Sequence, residues 1–257
     1  MKSWPYPRIL AHRGGGSLAP ENTLAAIRTG QALGYAAHEF DVKLSKDAVS
    51  MLLHDATLER TTTGVGRAAD LAWSELVKLD AGAWHSQAFR GERLPAFEDA
   101  ARLLRSKGTL ANVEIKPTPG LDEETGRRVA AQAASLWAGA GVPPLLSSFS
   151  FEALRAAKAA APALPRGWLA EELSAADWQR LAELDAVSFH TDHRKLDRAD
   201  IARLQGKGYR VLVYTVNDAA VAKALLDAGV DGIFTDNLRE FAERFPEHIA
   251  LPRPAGD

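Results

Sequence analysis

With 257 residues, 46% of them hydrophobic and 25% charged, the chain has the make-up of an ordinary globular protein, which excludes fibrous repeats and disorder. Thirty-one basic residues against 33 acidic ones leave a formal charge of −2, too balanced for a surface that binds nucleic acid or another polyanion. There is no cysteine, so disulfides, thiolate metal sites and cysteine nucleophiles are excluded, and a reducing cytoplasm is the expected compartment.

In chain order, the opening MKSWPYPRILAHRGGG places prolines and charges where an export signal needs an unbroken apolar run. No later stretch reaches the roughly 18 apolar residues of a membrane span. A cytoplasmic protein without stable membrane association is expected. Short β-branched runs then alternate with amphipathic segments, as in β/α units. The first strand is read at Arg8 to Ala11. A helix starts near Asn22 or Thr23, carries Leu24 and Ile27 inward and stops at Gly34. The second strand covers Ala37 to Val42.

Val49 to His54 follows too closely for a helical crossover and reads as the return arm of a hairpin. With the turn centred between Lys46 and Asp47, Glu39 lies opposite His54 and Asp41 opposite Leu52, which sets His54 beside a carboxylate. From Asp55 to about Arg93 the barrel period is lost, and an excursion of that length suggests a functional cap. Strands resume at Leu110 to Ile115, Leu145 to Phe149, Arg166 to Leu169, Ala186 to His190, Arg210 to Val216 and Gly232 to Thr235, with a helix from Asp218 to Gly229. Eight alternations favour an α/β fold of the (β/α)8 TIM-barrel type over an open doubly wound sheet. A single domain over 1–257 is expected, with an insertion at about 55–93. The tail from Leu251 to Asp257 is expected to fray.

Barrel chemistry sits at the C-terminal ends of the strands. Those positions hold His12 and Arg13, Glu39 and Asp41, Glu114 and Lys116, and Phe149, with His190, Asn217 and Asp236 after later strands. Alternate strand residues share a face, so Glu39 joins Asp41, and Glu114 joins Lys116. Three convergent carboxylates repel one another unless a cation neutralises them. A hard divalent ion such as Mg²⁺ or Ca²⁺ would do so, and a salt-bridge network with Arg13 and Lys116 would serve as well. Arg13 and Lys116 suit the oxygens of a phosphate, and the Gly14-Gly15-Gly16 run would let backbone approach closely. His12 and His54 are candidates for proton transfer. His38, His85 and His248 read as packed or solvated. His190 and His193 fit a rim or substrate-contact role better than a second metal pair.

Taken together, His12-Arg13-Gly14, Pro20-Glu21-Asn22-Thr23, Glu39-Phe40-Asp41-Val42, Leu53-His54-Asp55, Arg60-Thr61-Thr62 and Glu114-Ile115-Lys116 resemble the glycerophosphodiester phosphodiesterases. Thr215-Val216-Asn217 and Phe234-Thr235-Asp236 extend the likeness over nearly the whole chain. The opening segment and LDAGAWHSQAFRGERLP look like the small cytosolic bacterial members associated with glycerol-3-phosphate uptake. The hairpin turn departs from the family, with Lys46-Asp47-Ala48 where Asp-Gly is usual.

The resemblance implies a barrel with a short cap that helps shape the alcohol pocket. It implies Glu39, Asp41 and Glu114 as ligands of one divalent cation, Mg²⁺ or Ca²⁺, with His12 and His54 as the acid–base pair. Arg13 and Lys116 would hold the phosphate, and Phe149 would contact the substrate. The expected reaction is metal-dependent hydrolysis of a glycerophosphodiester, such as glycerophosphocholine or glycerophosphoethanolamine, to sn-glycerol 3-phosphate and an alcohol. Either histidine could be the base, and either water or the substrate's 2-hydroxyl could attack. The expected partner is this small-molecule substrate, with no nucleic acid, and the protein is expected as a monomer or homodimer. Rival readings are a phospholipase-type phosphodiesterase acting on lipid and a catalytically silent barrel that only binds phosphodiesters.

Overall fold

The computed structural model describes residues 4–252; the part of the expected frayed tail from residue 253 onward lies outside the described residues. The chain runs through β1 (Ile9–Ala11), α1 (Leu24–Ala32), β2 (Ala37–Leu44), β3 (Ser50–Leu52), α2 (Trp73–Leu76) and α3 (Phe97–Ser106). Strand and helix then alternate through β4 (Leu110–Ile115), α4 (Asp122–Leu136), β5 (Leu145–Ser148), α5 (Phe151–Ala160), β6 (Arg166–Leu169) and α6 (Ala175–Glu183). The remainder is β7 (Ser188–Asp192), α7 (Arg198–Gly206), β8 (Arg210–Tyr214), α8 (Ala219–Asp227), β9 (Gly232–Thr235), α9 (Leu238–Arg244) and α10 (Pro246–Ile249). Parallel pairing follows the order β1-β9-β8-β7-β6-β5-β4-β2, and Ala11 beside His38 joins β1 to β2. This closes the expected eight-stranded TIM barrel.

The helices begin and end where local chemistry directs. Thr23 caps α1 by accepting from the Ala26 amide, and Asp218 caps α8 by accepting from Ala220 and Val221. These side-chain oxygens satisfy amides that a helix start leaves without partners. Gly34 and Gly229 follow the two helices at φ +89° and +95°, a left-handed exit that glycine adopts without steric cost.

Both faces of the staves are buried, so the strands read as near-continuous apolar runs. Outward residues such as Phe40, Val42, Val113, Ile115, Phe189, Val211 and Ile233 pack against the helices. Inside, Tyr6, Leu10, Ala37, Leu110, Leu145, Leu212 and Phe234 form a separate apolar plug. Towards the C-terminal ends the inward positions turn polar, with Glu39, Asp41, Asn112, Glu114, Ser147 and His190 all buried.

The hairpin forms, but one residue out of the expected register. Val42 pairs with Leu52, Lys43 with Met51 and Leu44 with Ser50, so Glu39 does not face His54 across a ladder and Asp41 does not face Leu52. The loop has an odd number of residues, Lys46 to Ala48, between Ser45 and Val49, whose backbone bond is 3.0 Å. Ala48 takes the left-handed conformation at φ +62°, which costs an alanine roughly 1–2 kcal/mol. Hydrogen bonds from Ser45 Oγ to Asp47 Oδ1 (2.6 Å) and from the Val49 and Trp73 amides to Ser45 Oγ and Asp47 Oδ1 hold the turn closed.

After β3 the chain leaves the barrel and packs a small core of its own, from Met51, Leu53, Leu58, Ala68, Leu76, Ala81 and Leu94. The other notable boundary is at β7, which runs to Asp192, two residues beyond its expected end. His190 is therefore carried inside the barrel and fully buried, and the rim position expected for it is corrected. Strand alternation places Ser188, His190 and Asp192 on one face, and His193 follows the strand, so the two histidines do not make a ligand pair.

Candidate active site

Glu39 and Asp41 on β2 and Glu114 on β4 are buried, and each offers an oxygen within 4.8 Å of the others. Parallel pairing sets Asp41 directly beside Glu114. A buried Asn22 holds Asp41 at both ends, its Nδ2 donating to Oδ2 (2.8 Å) and its Oδ1 accepting from the Asp41 amide (3.0 Å). The Arg13 amide donates to Glu39 Oε2 at 2.9 Å. Arg13 and Asn22 both have positive φ, +48° and +58°, so backbone strain gathers at this cluster.

Burial acts to raise all three carboxyl groups. It pushes Glu39 up to about 8, reinforced by the charge of Asp41, and Glu114 is raised by the same two causes. For Asp41 the charges of Lys116, His54 and Arg13 outweigh burial and hold it below the usual carboxylate range. Lys116 Nζ donates to Glu114 Oε1 at 2.8 Å and lies 3.7 Å from Asp41. Glu39 Oε1 is buried and has no hydrogen-bond partner within the protein. A hard dication fits this donor set: three carboxylates with oxygens within 4.8 Å of one another, a Glu39 oxygen without a hydrogen-bond partner, and two of the groups pushed towards protonation.

His12 donates from Nδ1 to Asp236 at 2.7 Å, and its Nε2 is 3.8 Å from Glu39. Burial acts to lower its pKa, but the Asp236 hydrogen bond and the Glu39 charge prevail and raise it. His54 donates from Nδ1 to Asp55 at 2.7 Å. Here burial wins, helped by the charges of Lys116 and Arg13, and the pKa is lowered. Each imidazole thus has one nitrogen fixed by a carboxylate, leaving the other for proton transfer.

Arg13 Nη1 donates to Glu21 at 2.8 Å, while its Nε is buried without a hydrogen-bond partner. The Phe149 ring lies under Lys116 Nζ at 5.5 Å. All eight expected site residues, His12, Arg13, Glu39, Asp41, His54, Glu114, Lys116 and Phe149, line one pocket of about 300 Å³ at the C-terminal mouth of the barrel. The glycine run serves packing: a Cβ on Gly15 would meet Ala26 backbone at 2.8 Å, and one on Gly16 would meet the Asp236 carbonyl at 2.3 Å.

The sequence between residues 12 and 240 matches the model of the glycerophosphoryl diester phosphodiesterase family. The chain belongs to that family. A glycerophosphodiester phosphodiesterase of Caldanaerobacter subterraneus subsp. tengcongensis is 32% identical over 233 residues, 89% of this chain and 93% of the relative. Among solved structures, an Oleispira antarctica phosphodiesterase in complex with its product sn-glycerol-3-phosphate superposes with a TM-score of 0.86 at 34% identity, covering 94% and 97% of the two chains. A glycerophosphodiester phosphodiesterase from Agrobacterium tumefaciens superposes with a TM-score of 0.75 at 28% identity, covering 92% and 99%. Like its relatives, this family member is a phosphoric diester hydrolase.

Around the eight residues stands a set of carboxylates to which the sequence reading gave no role. Asp236 holds His12, Asp55 holds His54, and Glu21 bridges Arg13 to Arg60, which reaches back to Asp55. Closing the ring would have found Asp236, because β9 neighbours β1. No local pattern announces the Glu21–Arg60 contact, which joins residues 39 apart. His85, from the segment after β3, donates to the Ser17 carbonyl at 3.0 Å and ties that segment to the loop after β1. No helix among the described residues is long and apolar enough to cross a membrane.

Proposed function

We propose that this phosphodiesterase hydrolyses glycerophosphodiesters to sn-glycerol 3-phosphate and a free alcohol, with Mg²⁺ or Ca²⁺ held by Glu39, Asp41 and Glu114. The observation that carries the reading is the meeting of three buried carboxylates, two cationic side chains and two carboxylate-held imidazoles in one barrel-mouth pocket. When bound, a hard dication supplies charge neutralisation and polarisation of the phosphoryl group.

The protein's own residues do the rest. Arg13, whose buried Nε lies 3.8 Å from Asp41 without a hydrogen bond, and Lys116 receive the non-bridging oxygens and stabilise the charge that grows on them. His12 and His54 divide the proton work: one takes a proton from the attacking hydroxyl, of water or of the substrate's own 2-position, and the other gives one to the leaving oxygen. Asp236 and Asp55 fix the tautomers that make this possible. The apolar plug inside the barrel offers the phosphate no charged partner.

The test is release of glycerol 3-phosphate from glycerophosphocholine before and after chelation. Exhaustive chelation should abolish turnover, and Mg²⁺ or Ca²⁺ should restore it and also raise the thermal unfolding midpoint. Full turnover by the stripped protein would remove the cation from the reading, and no turnover of any glycerophosphodiester with either cation would overturn it.

A further inference from the structure

Beneath the carboxylates lies a polar floor that the scheme above leaves unused. Asn112 Nδ2 on β4 donates to Ser147 Oγ on β5 at 2.8 Å, and His190 Nε2 on β7 pairs with Ser188 Oγ at 2.9 Å. Each pair leaves one buried atom without a partner in the protein, Asn112 Oδ1 and His190 Nδ1. Asn112 and His190 are 1% and 0% exposed, yet both line the same cavity as the carboxylates. Unpartnered buried polar atoms are rare in native proteins, and two in one cavity mark a place for a polar ligand. With the Asn112 amide turned over, an N–H would take the place of the carbonyl and the floor would still be polar.

The space for the His190 ring is built in. A Cβ at position 167 on β6 would meet His190 Nε2 at 2.5 Å and Ser188 Oγ at 2.7 Å, so glycine there makes room. Phe234 lies against the ring with centroids 5.5 Å apart. Burial pushes the His190 pKa down to about 3, so the ring is neutral at physiological pH and offers no charge to a second anion. Hydroxyl groups match such a surface, since each can both donate and accept. Phe234, which lines the cavity, belongs to the apolar plug that also holds Leu10, Leu145 and Leu212. The half of a diester that never varies suits this inner end, and the half that varies suits the mouth beside Phe149.

We propose that Asn112 and His190 form a polyol subsite that receives the free hydroxyls of the glycerol half of the diester and directs the variable alcohol outward. This rests on the phosphodiesterase reading of the carboxylates above it. The experiment is calorimetric titration of the Mg²⁺-supplied protein with sn-glycerol 3-phosphate and with propyl phosphate, which has the same chain length and no hydroxyls. Wild type should bind glycerol 3-phosphate at least about tenfold more tightly. The preference should shrink towards unity in His190→Leu and Asn112→Ala and be partly kept in His190→Gln. Because the preference is a ratio within one preparation, an unfolded fraction cancels from it. Equal affinities in wild type, or an undiminished preference in both His190→Leu and Asn112→Ala, would overturn the subsite. The measurement needs no turnover, so failure of the hydrolytic reading, seen as an inert protein, remains distinguishable from failure of this one.

Discussion

The roles proposed for His12 and His54 rest on their neighbours more than on their own chemistry. A lone histidine in a barrel is unremarkable; one whose Nδ1 is held at 2.7 Å by a carboxylate presents a defined tautomer. Loss of either imidazole is expected to lower kcat on glycerophosphocholine by about 10²–10⁴-fold. A p-nitrophenyl ester of glycerol phosphate leaves without needing a proton, so it should restore much of the rate to only one of His12→Ala and His54→Ala. That variant is the one lacking the acid. Equal recovery in both would defeat a two-histidine division of labour.

At the scale of elements, the segment after β3 is fastened to the candidate site by Arg60. Its guanidinium bridges Glu21, which also holds Arg13, and Asp55, which also holds His54. The side chain is 45% exposed, and ion pairs so open to solvent add little stability. The cost of removing it should therefore fall on activity. Arg60→Ala is expected to lower kcat/KM about tenfold or more with a nearly unchanged melting temperature, and Arg60→Lys should recover only part, since lysine lacks the two-pronged geometry. A large fall in melting temperature with kcat/KM intact would reverse that account.

These elements also show what the sequence could and could not convey. The staves, the hairpin and the eight pocket residues follow from strand periodicity and from the rule that barrel chemistry gathers at one end. The hairpin register does not, because it turns on whether Ala48 accepts a left-handed conformation. Side-chain and amide hydrogen bonds through Ser45 and Asp47 decide that. His54 reaches the site regardless, since β3 ends at Leu52 and a last backbone bond, from the Leu53 amide to the Asp41 carbonyl at 3.2 Å, holds the chain beside the carboxylates. The depth of His190 was lost to a strand end misplaced by two residues, a boundary that no residue in Phe189-His190-Thr191-Asp192 signals.

For the whole molecule, two interior histidines contribute a loss of stability in acid. His38 is fully buried and donates from Nδ1 to the Gly14 carbonyl at 2.9 Å, and burial lowers its pKa to about 4; His190 is lowered to about 3. Both values lie below that of an unfolded histidine, about 6.5. The unfolded chain therefore takes up protons first as pH falls, and stability present above about 6.5 is lost progressively towards pH 4. His12 has a raised value and its contribution is complete below 6.5, whereas Glu39, pushed up to about 8, and the raised Glu114 hold protons in the folded state over the same interval and act in the opposite sense. From pH 6.5 to 4.5 the unfolding midpoint of wild type should fall relative to that of His38→Asn. A difference between the two proteins that stays constant over that interval would contradict the burial of a neutral His38 ring.

The apolar stopper formed by Leu10, Leu110, Leu145, Leu212 and Phe234 fills the barrel on the side away from the pocket mouth, so traffic is expected through that mouth. Whatever lies deepest must depart last. The alcohol, nearest the exit, is expected to go first, and glycerol 3-phosphate to follow from the same opening the next diester must use. In steady-state kinetics glycerol 3-phosphate should then inhibit competitively against substrate, whereas choline should inhibit noncompetitively or hardly at all. The opposite pattern would mean that traffic through the mouth runs in reverse order.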